Sequence, residues 1–377
     1  MKKLLTLVLA ACLLLSAFPF TAAAADGDRS GVTGTCTWNY DAQEKKLTIG
    51  GAGETDYYSF DEPAPWHELD VRKLTVEDGV VRIRSGAFIG LKIESVVIPP
   101  SVLTIGMIAF ADCQSLKAVT FSEGLEEING GAFSNCAALE RIDLPESMKR
   151  IGPFAFENCS ALETVSVPDT LESIGVAIFD NTKWFENLPE GAVYLGSILF
   201  TFKGNMPEGY TLTIRKGTRG VAAGALGGAP TQKEHLTRLV IPDSVTTIGE
   251  NAFYACVNLS AVRVPAGVTA LDERCFGFNY DPETDGNVAL DGFVICGAEN
   301  SAAQTYAADF GFTFVRAGDA DGNGVVNVAD VTAIQRQAAE IEDVRYPIAA
   351  DNDQNGKVEI GDATLALQYL AEFTDTL

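Results

Sequence analysis

The chain holds only two histidines, His67 and His235, far apart in sequence and without flanking Cys or Glu motifs. That leaves little room for His-based catalysis, and no zinc-spaced cluster is seen. Basic residues are also scarce: 27 Lys and Arg stand against 51 Asp and Glu, a formal net charge of −24 over 377 residues. Phosphate-backbone binding is driven by Lys and Arg replacing counterions, so nucleic acid is a poor partner, and so is anionic lipid. No nucleophile elbow and no P-loop occur. After Phe20 no apolar run is long enough to span a bilayer. At 47% hydrophobic residues the chain can still bury a core.

The N-terminus supplies what the rest lacks. Lys2 and Lys3 precede the apolar stretch Leu4 to Phe20, and Ala22 to Ala25 offer small residues for cleavage near Ala25. Residues 1–25 therefore read as a signal peptide and the protein as exported. A membrane anchor would need a longer stretch, and the lipoprotein-like box at Cys12 has too short an apolar segment before it. Cleavage leaves seven cysteines, an odd number at spacings that form no disulfide framework.

A period of about 23 residues organises the middle of the chain. Phe88, Phe110, Phe133, Phe156 and Phe179 recur 22 to 23 residues apart, with Ile83, Ile105, Ile128, Ile151 and Ile174 five residues ahead. Cys113, Cys136 and Cys159 follow three behind, and the register resumes at Ile248, Phe253 and Cys256, then at Leu271 and Phe276. Each unit opens on an L-x-x-V-x-V strand pattern that one unit alone cannot bury, so stacked units must share a core. The expectation is a parallel-sheet solenoid with an internal Phe stack, each strand ended by a Pro of the column Pro99, Pro145, Pro168, Pro242 and Pro265. The Gly of each Ile-Gly step is read as the flexible turn residue. The Cys column is read as small buried apolar residues, since stacked side chains point in parallel rather than in disulfide geometry. Flanking the strand centres, Ser95 and Val97, Ala118 and Thr120, Arg141 and Asp143, Thr164 and Ser166, Arg238 and Val240, and Ala261 and Arg263 should face outward on the concave sheet.

The stretch Ile241 to Cys256, IPDSVTTIGENAFYAC, resembles the BspA-like bacterial leucine-rich repeat. The resemblance covers residues 79–276, with Trp184–Gly220 as an irregular insertion carrying two short strands and Val221 with Leu226 as a degenerate repeat. Residues 26–78, with the hairpin-like Cys36–Tyr40 and Leu47–Ile49, read as an N-terminal cap. Residues 277–316, with a helix from Ala302 to Phe310 capped by Ser301 and a last strand at Phe312 and Phe314, read as the C-terminal cap. The fold class is thus mostly β/α+β: a leucine-rich-repeat parallel-sheet solenoid with capping ends, plus a small all-α, EF-hand-like module.

That module lies in the last sixty residues. Asp319, Asp321, Asn323, Gly324, Asn327 and Asp330 are repeated 32 residues later as Asp351, Asp353, Asn355, Gly356, Glu359 and Asp362. Both fit the calcium loop D-x-[DN]-x-[DN]-G with an acid at position twelve. Calcium takes six to eight oxygens at about 2.4 Å, which the side chains at one, three, five and twelve would offer. Val325 and Lys357, at seven, can offer only backbone carbonyls, and Asn327 and Glu359, at nine, would act through water. Two ions are expected. A helix should follow each loop, burying Val331, Ile334 and Ala338, then Leu365, Leu367, Leu370 and Ala371, with no entering helix before either. Residues 317–377 carry twelve acids and three basic residues, so the loops concentrate the acidity.

Loop–helix twice, with Asp at twelve, resembles the type I dockerin. The resemblance implies a calcium-dependent anchor to a cohesin domain of a scaffoldin, in a cellulosome-like cell-surface complex that degrades plant polysaccharide. It places partner-reading positions at Val328 and Ala329, then Ile360 and Gly361, with Arg336 and Gln368 as the following contacts. Only Arg316-Ala317-Gly318 separates the module from the solenoid, so the two should pack together. The leading expectation is a secreted, non-catalytic protein whose solenoid presents a protein- or glycan-binding surface. The alternatives are a dockerin-borne enzyme (glycoside hydrolase-like or peptidase, with isolated carboxylates that leave no local signature) and a protease inhibitor or regulator of the complex.

Overall fold

The computed structural model describes residues 27–227 and 233–371. The signal-peptide reading of residues 1–25, with Cys12, lies outside them. Strands Arg29–Thr33, Cys36–Asp41 and Lys46–Gly51 form an antiparallel meander, and the last of them pairs in parallel with Lys73–Val76. From there the chain winds as a solenoid of short parallel strands. One sheet stacks Ser95–Ile98, Ala118–Phe121, Arg141–Asp143 and Thr164–Ser166. A second stacks Val80–Ile83 with four two-residue strands, with Ile83, Ile105, Ile128, Ile151 and Ile174 directly in register.

The Phe column is an internal stack. Ring centroids run 5.1 Å from Phe88 to Phe110, 5.0 Å to Phe133, 5.3 Å to Phe156 and 5.6 Å to Phe179. Trp66 closes it at one end and Trp184 at the other. The cysteines do more than fill space: each Sγ donates to the carbonyl of the preceding rung's Phe, Cys113 to Phe88, Cys136 to Phe110 and Cys159 to Phe133, at 3.1 to 3.2 Å. No disulfide joins the described cysteines, all of which are buried.

The glycine of the Ile-Gly step has another role than the one expected. Gly106, Gly152 and Gly249 do not take positive φ; a Cβ there would stand 2.5 to 2.6 Å from a backbone atom of the preceding rung. They are glycines because two backbones touch. The left-handed turn falls two residues later, at Ile108, Gly131, Phe154, Ala177, Gly224, Asn251 and Arg274, where most rungs hold a side chain despite the steric cost.

The insertion divides the solenoid. Helix α1 (Lys183–Asn187) starts at Thr182, whose Oγ1 accepts from Phe185 N. The antiparallel pair Gly191–Leu195 and Ile198–Lys203 follows, and the second strand resumes parallel stacking with Gly220–Val221. Ile198 and Phe200 enter the first core, Leu199 and Phe202 the second. The second half adds a stacked pair, Phe253 and Phe276, 5.2 Å apart. It closes with an unforeseen hairpin, Phe278–Asp281 with Gly286–Ala289, and an unforeseen strand, Val294–Gly297, beside the last strand, expected at Phe312 and Phe314 and found at Thr313–Arg316. Helix α2 (Ala302–Phe310) has the expected bounds, but Ser301 does not cap it with its side chain; its hydroxyl donates to Ala298 O instead.

The C-terminal module has helices α3 (Val328–Ala338), α4 (Pro347–Ala350) and α5 (Ile360–Leu370). The one-turn α4 corrects the expectation that nothing helical enters the second loop. The buried face of α5 is also corrected: Ala363 and Ala366 are buried, whereas Leu367 is exposed. Small alanines let α5 lie close against Val331 and Ile334 of α3, and leucines on that face would hold the helices apart.

Two outcomes follow from this packing. Burial pushes the Cys113, Cys256 and Cys275 thiols up to about 12, so thiolate is absent at ordinary pH. Iodoacetamide at mildly alkaline pH should leave them unmodified in the folded protein and alkylate them in denaturant; mass spectrometry reads the difference. Phe133→Ala removes a ring stacked on both faces and should cost about 3–5 kcal/mol, seen as a lower denaturation midpoint.

Candidate metal centre

Each acidic loop brings three carboxylates together. One oxygen each from Asp319, Asp321 and Asp330 lie within 4.8 Å of one another, and so do oxygens of Asp351, Asp353 and Asp362. Asp319, Asp330, Asp351 and Asp362 are buried. Burial is the main cause that raises the Asp330 and Asp351 carboxyls above the ordinary range, with neighbouring aspartates adding to it. Clustered acids held this way fit a cation, and an oxygen-only donor set suits a hard one such as calcium or magnesium.

The loops shape themselves through their own backbone. Asp319 accepts from Asn323 N at 3.0 Å on Oδ1 and from Gly324 N at 2.8 Å on Oδ2. Asn323 N and Nδ2 both donate to Asp321, and Val325 N donates to Asn323 Oδ1. Asn327 Nδ2 donates to Val325 O, so these two positions serve the loop's turn. The second loop repeats the pattern with Asn355, Asp353 and Lys357, while Glu359 accepts from Asn355 Nδ2. Gly324 and Gly356 reverse the chain at φ near 90°, a conformation other residues rarely adopt.

Position twelve is the third residue of each following helix. Asp330 accepts from Asn327 N on Oδ2 and from Asp321 N on Oδ1, tying the start of α3 to the loop. Asp362 does the same for α5 through Glu359 N, Asn352 N and Asp353 N. Each makes a capping box. The shorter Asp side chain thus comes with a helix N-terminus drawn right onto the loop. The oxygens keep lone pairs beyond these amide bonds.

The six expected partner contacts lie on the surface. Val328 is 65% exposed and Ile360 63%. Ala329, Gly361 and Gln368 are also exposed, and Arg336 pairs with Glu342 at 3.0 Å. The histidines are ordinary: His67 is half-exposed, and His235 Nδ1 lies 2.8 Å from Met206 O.

The expected concave face survives in part. Ser95, Val97, Ala118, Thr120, Arg141, Asp143, Thr164 and Ser166 are all exposed, and Arg141 and Asp143 bond each other. The last two pairs depart from expectation. Arg263 is only 5% exposed, and Arg238 is three-quarters covered. Both point out of the solenoid, but into the C-terminal module. Arg238 Nη2 donates to Asp351 Oδ2 and to Gln354 O, each at 2.7 Å, and Arg263 Nη1 donates to Asp351 O at 3.1 Å. Cys296, Val315 and Ala349 form a small apolar cluster beside them, and Arg316 reaches Tyr369. Sequence reasoning missed this seat. The available signal was that Arg238 and Arg263 have Val240 and Ala261 as strand partners, with no acid to pair as Asp143 pairs Arg141.

Comparison with known proteins bears on the solenoid. Residues 81–201 and 231–281 match the BspA type leucine-rich repeat region, in six copies. No curated protein matches. Among solved structures, a leucine-rich repeat protein from Eubacterium ventriosum is similar at 21% identity, over 64% of this chain and 68% of that one, with a TM-score of 0.36. A leucine-rich cell surface protein from Faecalibacterium prausnitzii is 17% identical over 71% of this chain and 88% of that one, with a TM-score of 0.33. A leucine-rich repeat protein from Bacteroides capillosus is 30% identical over 36% of this chain and 96% of that one, with a TM-score of 0.24. With its stacked Phe and Ile columns matched in six copies, the repeat region of this chain belongs to the BspA-type leucine-rich repeats.

Proposed function

We propose that this is an extracellular, non-catalytic binding protein whose C-terminal module is a calcium-dependent, dockerin-like anchor. The observation that carries the reading is the duplicated three-aspartate cluster, Asp319, Asp321 and Asp330 and then Asp351, Asp353 and Asp362. Each cluster sits at the start of a helix whose first turn exposes an apolar residue, Val328 or Ile360. Asn323, Asn327, Asn355 and Glu359, with the carbonyls of Val325 and Lys357, complete the oxygen set in this reading. Two calcium ions would take the net charge of residues 317–377 from −9 to about −5. The exposed apolar first turns, flanked by Ala329, Gly361, Arg336 and Gln368, are the face offered to a cohesin domain of a scaffoldin.

The solenoid contributes a shallow sheet of mixed small and polar side chains, a surface suited to a broad protein or glycan contact. Its one acid among the eight outward side chains, Asp143, is held by Arg141. That supports binding over hydrolysis, which uses two carboxylates set about 5–10 Å apart. The setting in this reading is a cell-surface complex acting on plant polysaccharide.

The test uses the full chain. Calorimetric titration should show two calcium ions bound, and Asp319→Ala with Asp351→Ala should abolish both, since each loses its position-one ligand. Pull-down on a panel of immobilised cohesins should succeed with calcium and fail with chelator. Capture that ignores chelator, or unchanged calcium binding by the double variant, would refute the reading.

A further inference from the structure

The two acidic loops are near-copies in sequence but differ in their surroundings. Among the described residues, no basic side chain of the solenoid bonds to Asp319. Asp351 is held from outside the module. Its Oδ2 accepts from Gly356 N at 3.0 Å, as Asp319 accepts from Gly324, and also from Arg238 Nη2 at 2.7 Å. Its backbone carbonyl accepts from Arg263. The Asp351 side chain is 9% exposed, and its Oδ1 has no hydrogen-bond partner. The Arg238 guanidinium lies against Gly356 so closely that a Cβ there would meet it.

We propose that Arg238 is a positioning residue for the second cation loop, supplied by the solenoid, so that loading of this loop and seating of the module on the solenoid support each other. The inference rests on the calcium reading above and goes beyond it. Arg238 fixes Oδ2 and the Gln354 carbonyl and leaves Oδ1 as the oxygen for the ion. A guanidinium and a cation then share one carboxylate from opposite sides. Like charge opposes this arrangement. Arg238 also draws on the single negative charge that Asp351 offers the ion, a cost set against the fixing of Oδ1 toward the loop. The dominant effect is the outer partner's orientation of a ligand, which typically governs 10–100-fold in metal affinity. Linkage makes the effect reciprocal: an ion that orders the loop orders the surface Arg238 and Arg263 grip. The first loop takes no part.

Calcium titration of the full chain resolves two sites, and Asp319→Ala assigns which belongs to the first loop. Arg238→Gln should weaken the second-loop site about 10-fold or more and leave the first unchanged, with the solenoid's circular dichroism intact as the folding control. Independently of any variant, small-angle X-ray scattering of the wild-type chain should show a larger radius of gyration in chelator than in calcium. Two sites both unaffected by Arg238→Gln, both weakened alike, or a radius indifferent to chelator would each overturn the inference while leaving the calcium reading standing. A full chain that takes up no calcium at all would overturn both.

Discussion

The fold depends on how closely one rung's backbone can lie on the next. At Gly106, Gly152 and Gly249 that approach leaves no room for a single carbon. The rest follows from it. The isoleucines pair directly in register, the phenylalanine rings meet at about 5 Å, and each cysteine hydrogen can reach the carbonyl of the rung before. Where Asn129 takes the place of the glycine, its side-chain amide donates to Ile105 O and the ladder and ring stack keep their spacing, so the close approach is kept by the whole set of columns and not by glycine alone.

Periodic features were legible in the sequence because a solenoid repeats its environment. Every Phe of the column meets another rung's ring, so recurrence alone marks the core. The end elements were partly legible: α2 from its pattern, the Arg29–Thr33 strand and the Phe278–Ala289 hairpin not at all. What recurrence cannot express is a contact made once. Arg238 occupies the same outward column as Arg141 and Thr164, and Arg263 that of Asp143 and Ser166, and nothing within their own repeats shows that a second module covers them. Helix α5 failed for a related reason. Its leucines look like the core, yet the packing distance to α3 is set by Ala363 and Ala366. The two aspartate clusters were readable because each is local, with its three carboxylates inside twelve residues.

The seat of the C-terminal module divides the concave surface. The rungs of Ser95, Ala118, Arg141 and Thr164 remain open, while the strands of Arg238 and Arg263 are given over to an intramolecular contact. The early sheet and the first turns of α3 and α5 stay exposed beside that contact.

The strand Ile198–Lys203 sends side chains into both cores and stands between the regular rungs and those that carry the module. Each earlier rung recognises only its neighbours, through columns that are the same from one to the next. Whole 23-residue units could therefore be gained or lost ahead of this strand in the course of descent. The reach of the open face would lengthen or shorten, and the machinery behind the strand would be inherited intact.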